Sequence, residues 1–385
     1  MPELIHAKEL LHFLEPRLST MVNVLRSFVL AESPSLEKGA ADRCCEIIAS
    51  KWRKRGAAVQ RISQKHRGDH LRITWWPHKS LPHGQLLILG HYDTVYASGT
   101  LHKMPFRIKT GKAFGPGIFD MKAGIVQSLF ALELLQKLRL PLRKRLVFLW
   151  TSDEEIGSTS SRKLIETEAR RSDAVFVLEP ALGPRGCLKT ARKGVGEAEL
   201  IVHGRTSHAG LAPEKGINAI HELAAQIARI EKWNNMRSGV TINAGILEGG
   251  ERVNVIPKHA RAVLDLRAVH ISEMRNLERR LRALRPIHRG ARVEVRGGFN
   301  RPPLERKMST ELYFHAKSLA AEIGFTLEES LAGGGSDGNL TAALGIPTLD
   351  GLGAVGDGAH SAKEHVVIKH LPRRTALLAA LLASS

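Results

Sequence analysis

The sequence switches repeatedly between two textures, and that alternation restricts the fold more than any other feature. Short β-rich runs at 85–90, 145–151 and 173–178 are separated by longer helical patterns at 122–138 and 161–168. Strands separated by helices predict a mainly parallel sheet covered on both faces. In such sheets ligands collect just beyond the carboxyl ends of the strands. Acidic residues or histidines lie within a few positions of each of these three strand ends.

From about Gly194 the texture changes. A strand at 196–203, a helix at 217–233, strands at 240–247 and 259–269, a helix at 272–284 and a strand at 291–296 follow in order. That succession, βαββαβ, is the pattern of the ferredoxin-like sandwich. Gly297-Gly298 and Arg301-Pro302-Pro303 mark a return linker. A helix near 309–323, a Gly-rich loop and an apolar helix at 372–383 close the chain. The expectation is an α/β domain built from 1–190 and 299–385, interrupted by a small inserted domain at 191–298. A chain of 385 residues is comfortable for two domains.

Composition excludes more than it assigns. The 57 Lys and Arg exceed the 38 Asp and Glu by 19, which raises the local concentration of anions but does not bear on fold. Leu277, Leu281 and Leu284 put the neighbouring arginines on the opposite face of one helix, the pattern of a solvated surface. The run Lys51-Trp52-Arg53-Lys54-Arg55 reads the same way. No zinc finger or RNA-recognition signature accompanies these patches, so no nucleic-acid partner is expected. Cys44, Cys45 and Cys187 cannot form a disulfide framework and are expected to be reduced. Segment 1–21 mixes charges among its leucines, unlike a secretory signal. The longest apolar stretches, such as 146–150 and 376–383, fall short of the roughly 20 residues of a spanning helix. A soluble, cytoplasmic protein with no membrane partner is expected.

The chemistry-bearing residues gather at the strand ends. His91-Tyr92-Asp93 follows the first strand, and in extended backbone His91 and Asp93 point to one side. His91 can then bind a metal while Asp93 accepts a hydrogen bond from its other ring nitrogen. Asp120 stands in the glycine-rich turn 115–124, where a helix N-cap is the alternative reading. Asp153-Glu154-Glu155 follows the second strand, and three adjacent carboxylates repel one another unless solvated or neutralised by a cation. Glu179 follows the third strand, and His360 adds a second imidazole late in the chain. Two histidines with Asp120, Glu155 and Glu179 make a mixed imidazole–carboxylate set suited to zinc. Three carboxylates against two Zn²⁺ ions leave one positive charge, which a hydroxide cancels. Glu154, one residue from a ligand, suits a general base.

The ordered set His91-x-Asp93, Gly115-Pro-Gly-x-x-Asp120-Met-Lys-x-Gly124, Asp153-Glu-Glu155-x-Gly157 and Glu179-Pro resembles the co-catalytic dizinc peptidases. That family includes glutamate carboxypeptidase, acetylornithine deacetylase and succinyl-diaminopimelate desuccinylase. Ser207-His208-Ala209-Gly210, Asn254-Val-Ile-Pro257, Asp265-x-Arg267 and Gly334-Gly335-Ser336-Asp337-Gly338-Asn339 match as well, so the resemblance runs the length of the chain. It implies that His91, Asp120 and Glu179 hold one Zn²⁺, and that Asp120, Glu155 and His360 hold the other, with Asp120 shared. Co²⁺ and Mn²⁺ are the expected substitutes. It further implies a cis Asp120–Met121 peptide, Asp93 as the group orienting His91, and Glu154 as the base. Within the inserted domain, acting as a lid and dimerisation module, His208 would donate to the developing oxyanion. Arg267, Asn254 and the backbone around Gly334, Gly335 and Ser336 would bind the substrate carboxylate. For Arg267 the alternative is an ion pair with a neighbouring acid.

Three functions follow from this reading. The first is a glutamate-carboxypeptidase-like hydrolase that cleaves an amide next to a free carboxylate, on small N-acyl amino acids or peptides of acidic character. The second is a deacylase of N-acyl amino acids. The third is a catalytically silent basic binding protein on the same fold, which an intact Glu154 and a full ligand set argue against.

Overall fold

Uninterrupted apolar runs make the central strands. In the computed structural model, which describes residues 7–78 and 82–385, strand Gln85–His91 is buried at every position and Arg145–Thr151 at all but the first. The first six residues of the 1–21 segment lie outside the described residues. These two strands pair in parallel, Leu87 opposite Val147 and His91 opposite Thr151. Ala174–Val177 pairs in parallel along the other side of Gln85–His91, and Thr348–Leu349 follows it, also parallel. His70–Trp75 and Ala58–Ile62 extend the opposite edge as antiparallel strands, giving six strands with a parallel centre.

Alternation along the strands divides the core between two faces. Leu86, Ile88, Phe148 and Phe176 pack with helices Ala123–Lys137 and Leu371–Ser384 through Leu129, Phe130, Leu377 and Leu381. Leu87, Leu89, Val147, Leu149 and Val175 pack on the other face with Ile165 of helix Arg162–Arg170 and Leu340 of helix Asp337–Ala343. Each such fully buried aliphatic side chain contributes roughly 1.5–3 kcal/mol. The sheet is therefore covered on both faces, as its near-continuous hydrophobicity requires. Cys44 and Cys45 are buried in helix Lys38–Arg53 as free thiols, and Cys187 is free too. No helix among the described residues is long and apolar enough to cross a membrane.

The chain separates into two units. One comprises the chain up to Thr190 together with Arg306–Ala332 and Ser336–Ser385; the other comprises Ala191–Glu305 and Gly333–Gly335. The second unit has its own four-stranded antiparallel sheet, in spatial order Thr241–Gly249, His259–Ala268, Gly194–His203, Arg292–Arg301. Helices Ala219–Glu231 and Ile271–Arg282 cover it through Leu223, Ile230, Leu277 and Leu281, against Leu200, Val202, Leu264 and Leu266. Asn218 starts the first of these helices, its Oδ1 accepting from the N–H groups of Ile220 and His221 at 3.0 and 3.1 Å. The element order is βαββαβ. The last strand does not stop at Gly297-Gly298: its ladder with Gly194–His203 continues to Arg301 opposite Val195, and the unit extends to Glu305 rather than 298. Leu277, Leu281 and Leu284 are buried while Arg279, Arg280 and Arg282 are exposed, the solvated face read from the sequence.

Candidate metal centre

Register places the site. His91 ends the central strand beside Thr151, Tyr92 N–H donates to the Thr151 carbonyl at 3.0 Å, and Leu178 N–H donates to that of Leu89 at 2.9 Å. The segments 91–93, 152–155 and 178–179 therefore leave the same edge side by side. A fourth segment, the Gly117–Lys122 turn with its cis Asp120–Met121 peptide, meets them from above the first helix face. Its Met121 thioether accepts from His91 N–H at 3.3 Å. The helix that follows approaches closely at Gly124, where a Cβ would overlap the carbonyl oxygen of Leu178.

Two groups of three potential ligands result, and Asp120 belongs to both. In the first, His91 Nε2 stands 3.3 Å from Asp120 Oδ1 and 3.3 Å from Glu179 Oε1. In the second, His360 Nε2 stands 3.5 Å from Asp120 Oδ2 and 3.2 Å from Glu155 Oε2. A tetrahedral zinc with bonds of about 2.0–2.1 Å separates its ligand atoms by about 3.3–3.4 Å. The observed spacings are those of tetrahedron edges. His91 Nε2, Asp120 Oδ1 and Glu155 Oε1 are buried and lack a hydrogen-bond partner among the described residues. Buried polar atoms are ordinarily paired, so such atoms on members of both groups are suited to bound cations. The donor set of imidazole and carboxylate fits Zn²⁺.

Hydrogen bonds position these side chains. His91 Nδ1 lies 3.1 Å from the Asp93 carbonyl and 3.4 Å from Asp93 Oδ1, which leaves Nε2 to face Asp120 and Glu179. The Asp93 carboxylate also accepts from Ser35 Oγ at 2.7 Å and from the N–H groups of Glu154 and Glu155 at 3.2 and 3.3 Å. One buried carboxylate thus aligns an imidazole and the Glu154-Glu155 turn together. Repulsion among three adjacent acids is relieved locally, because Asp153 turns inward to accept from Ser160 N–H, Ser160 Oγ and Ser161 N–H. His360, half exposed, has φ 60°, a left-handed conformation uncommon for histidine.

Charge follows this geometry. Asp120 and then Glu155 raise the His360 imidazole to about 10. Burial lowers the His91 pKa, but Asp120, Asp93 and Glu179 outweigh it and hold the ring well above its usual value. Burial raises the Asp120 carboxyl, and His360 and His91 overcome that and hold it far below the ordinary range. Burial raises Glu155. Lys189, nine-tenths buried in the same unit, adds a positive field at Asp120.

Glu364 was not among the residues singled out in the sequence. Its buried carboxylate accepts from the N–H groups of Gly117, Phe119 and Asp120 at 3.0, 2.8 and 3.0 Å, and from the Tyr96 hydroxyl at 2.7 Å. The Tyr96 hydroxyl also lies 3.0 Å from the carbonyl of Ser361, the neighbour of His360. Ser35 and Lys189 likewise stand in no motif of the sequence. Most of these partners are backbone groups, which leave no pattern in the sequence.

The remaining predicted residues are placed as follows. Ser336, in the first unit, caps helix Asp337–Ala343; its N–H donates to Asn339 Oδ1 at 2.9 Å and its hydroxyl to Asp350 at 2.6 Å. In the second unit the carbonyls of Gly334 and Gly335 accept from Arg192 Nη1, each at 3.1 Å. His208 is exposed, and its Nδ1 accepts from the N–H groups of Gly210 and Leu211 at 3.2 and 3.1 Å. Its neutral ring therefore carries the proton on Nε2, as a donor. Asn254 is exposed and its carbonyl accepts from Ala209 N–H at 3.0 Å. Arg267 makes a two-pronged pair with Asp265 at 2.8–3.1 Å, the neighbouring-acid arrangement that stood beside the anchor reading.

The chain is similar to known proteins in sequence and in fold. The model of peptidase family M20/M25/M40 matches residues 87–384. The chain is 33% identical over 305 residues to carboxypeptidase G2 of Pseudomonas sp. (strain RS-16), covering 77% of this chain and 73% of that protein. It is 28% identical over 303 residues to the succinyl-diaminopimelate desuccinylase of Burkholderia ambifaria, covering 74% and 79%. Aminopeptidase PepT of Bacillus cereus has the same fold, with a TM-score of 0.80 over 95% of this chain and 98% of that one, at 24% identity.

Proposed function

The chain belongs to peptidase family M20/M25/M40 and is an amide hydrolase of glutamate-carboxypeptidase or N-acyl-amino-acid-deacylase type, and from that premise we propose that it is a dizinc enzyme cleaving an amide next to a free carboxylate. The observation that carries this reading is the sharing of Asp120 by two ligand groups at tetrahedral spacing, with Glu154 next to one of them. The carboxypeptidase form is preferred over the deacylase form because of the identity to carboxypeptidase G2.

Two divalent ions, Zn²⁺ or Co²⁺ or Mn²⁺ in its place, supply Lewis-acid polarisation of water and of the amide carbonyl when bound. His91, Asp120 and Glu179 hold one; Asp120, Glu155 and His360 hold the other. Glu154 takes the proton of the attacking water and returns it to the leaving amine, so one carboxylate serves in both halves of the reaction. The bond from its N–H to Asp93 Oδ1 fixes its backbone beside Glu155. His208 presents an Nε2–H donor for the oxyanion, and Asn254, Arg267, Gly334 and Gly335 bind the substrate carboxylate; the buried Ser336, whose N–H and hydroxyl donate to Asn339 and Asp350, serves as the helix cap instead. The surplus of 19 positive charges favours an acidic substrate by steering. A homodimer through the second unit is part of the same proposal. Its edge strand Thr241–Gly249 leaves Ile246 and Leu247 exposed at 51% and 61%, beside an apolar recess lined by Ile220, Leu223 and Ile227. A cytoplasmic location, with no nucleic-acid or membrane partner, completes it.

The test is Glu154→Gln. The expected protein retains two metals and loses at least about 10²-fold in kcat, the contribution of a general base. Unchanged kcat would show that the base is elsewhere.

A further inference from the structure

Behind the Asp153-Glu154-Glu155 turn, and wholly within the first unit, the ring of His70 lies fully buried between two serines. His70 begins strand His70–Trp75, and the segment leading into it packs against Ser152: a Cβ at Gly68 would stand 3.2 Å from the serine Cβ. Both ring nitrogens then face hydroxyl oxygens, Nδ1 at 3.2 Å from Ser152 Oγ and Nε2 at 3.2 Å from Ser160 Oγ. Each hydroxyl has a second partner, the Gly68 carbonyl for Ser152 and Asp153 Oδ2, at 2.7 Å, for Ser160. Four links thus join the row Gly68, Ser152, His70, Ser160, Asp153.

Counting protons assigns their direction. Each link needs one proton; the two hydroxyls supply two and a neutral imidazole one. Burial lowers the His70 pKa, which the carboxylates of Asp153, Asp93, Asp337 and Asp69 offset only in part, so the ring is neutral at pH 7. Three protons therefore serve four links. A hydrogen bond to a carboxylate is about twice as strong as one between neutral groups, so Ser160 keeps its proton on Asp153 Oδ2. Its oxygen is then an acceptor, which the ring serves with Nε2–H. The empty link falls on the other side, where Ser152 donates either to Gly68 or to Nδ1.

What this secures is the backbone that carries the base. Asp153 Oδ2 also accepts from the N–H groups of Ser160 and Ser161 at 2.6 and 3.3 Å, and the Asp153 carbonyl accepts from Ser158 N–H at 2.8 Å. These bonds fold the 153–161 segment back on its first residue, and Glu154 is its second. Glu154 N–H itself donates to Asp93 Oδ1 at 3.2 Å, so the base projects from a backbone held by two buried aspartates. A Ser160 hydroxyl swung from Asp153 to Nε2 withdraws one of the three donors on Oδ2 and loosens the turn. We propose that His70 is a positioning residue for Glu154, acting through the Ser160 hydroxyl and Asp153. The ring is sealed from solvent and touches no substrate. The inference rests on the reading of Glu154 as the base of an amide hydrolase.

The experiment compares kcat, KM and bound metal for His70→Gln and His70→Asn on N-acetyl- and N-benzoyl-glutamate. The amide nitrogen of glutamine reaches the place of Nε2 and that of asparagine only the place of Nδ1, so glutamine alone keeps a donor for Ser160. With KM and metal content unchanged, kcat is expected to stay within about 3-fold of wild type in His70→Gln and to fall about 10–100-fold in His70→Asn, part of what a well-placed general base supplies. Ser160→Ala, at a half-buried position, is expected to lower kcat to the same extent, and adding His70→Asn to it to cost no more than about 2-fold further. Equal kcat in the two His70 variants, wild-type kcat in Ser160→Ala, or losses that add in the double variant overturn the positioning. Glu154→Gln separates the two readings. Unchanged kcat there overturns the base and the positioning with it, whereas a fall there beside wild-type kcat in His70→Asn overturns the positioning alone.

Discussion

Replacing Glu364 by glutamine isolates the brace behind the shared carboxylate. Each oxygen of Glu364 serves two donors: Oε1 takes the N–H groups of Phe119 and Asp120, and Oε2 takes the Gly117 N–H and the Tyr96 hydroxyl. Glutamine can keep its oxygen on Phe119 and Asp120 and turn its NH₂ group toward the other pair, where the Tyr96 hydroxyl can accept from it and donate to the Ser361 carbonyl, so the Gly117 N–H is left without an acceptor. Such a loss costs about 1–3 kcal/mol, a sizeable part of the 5–15 kcal/mol typical of a folded domain. The loss is concentrated in the turn that aims both oxygens of Asp120. Metal affinity is therefore expected to fall about 10–100-fold, the usual effect of removing an outer support of a metal ligand. Competition with a chelator measures the affinity, and guanidinium titration of the metal-free protein measures the stability. Wild-type affinity together with a stability loss below about 1 kcal/mol would refute the reasoning.

Other outcomes follow from the same geometry. With the His360 pKa raised to about 10 beside Asp120 and Glu155, the metal-free ring is protonated at pH 7, so metal uptake releases protons and affinity falls as pH falls; calorimetry in buffers of different ionisation enthalpy reads the release, and none would contradict it. Gly124→Ala gains about 1 kcal/mol of helix propensity. It also drives a Cβ into the Leu178 carbonyl, and overpacking of about 1–3 kcal/mol or more is expected to outweigh the gain; a raised melting temperature would contradict this. Arg267→Ala is expected to raise KM for acyl-glutamate substrates by loss of a carboxylate anchor, and wild-type KM would assign Arg267 to its Asp265 pair alone.

Much of this was legible in the sequence where pattern and chemistry coincide. Strand Arg145–Thr151 was read at its observed bounds because a strand buried on both faces is an unbroken apolar run. The second unit was legible as βαββαβ because its helices carry one apolar face, Leu277 and Leu281 inward and the arginines outward. The antiparallel strands Ala58–Ile62 and His70–Trp75 were not read, since their segments mix polar and basic residues and Ala58–Ile62 has no buried position. The end of the inserted unit was misplaced at Gly297-Gly298, where glycines read as a break but the ladder persists. At the centre, the residues that gather into the two groups were visible as candidates because few residue types bind metal ions. Glu364 and Ser35 were invisible because they act through backbone groups and through Asp93, which only the folded chain brings to them.

The sharing of Asp120 by two cations is the claim on which the chemistry depends, and anomalous diffraction at the zinc edge from zinc-loaded crystals tests it most directly. The account predicts two peaks per chain roughly 3.5–4 Å apart, one beside His91 and Glu179, the other beside Glu155 and His360, with Asp120 between them. A single peak, or peaks with Asp120 outside the coordination of both, would contradict it.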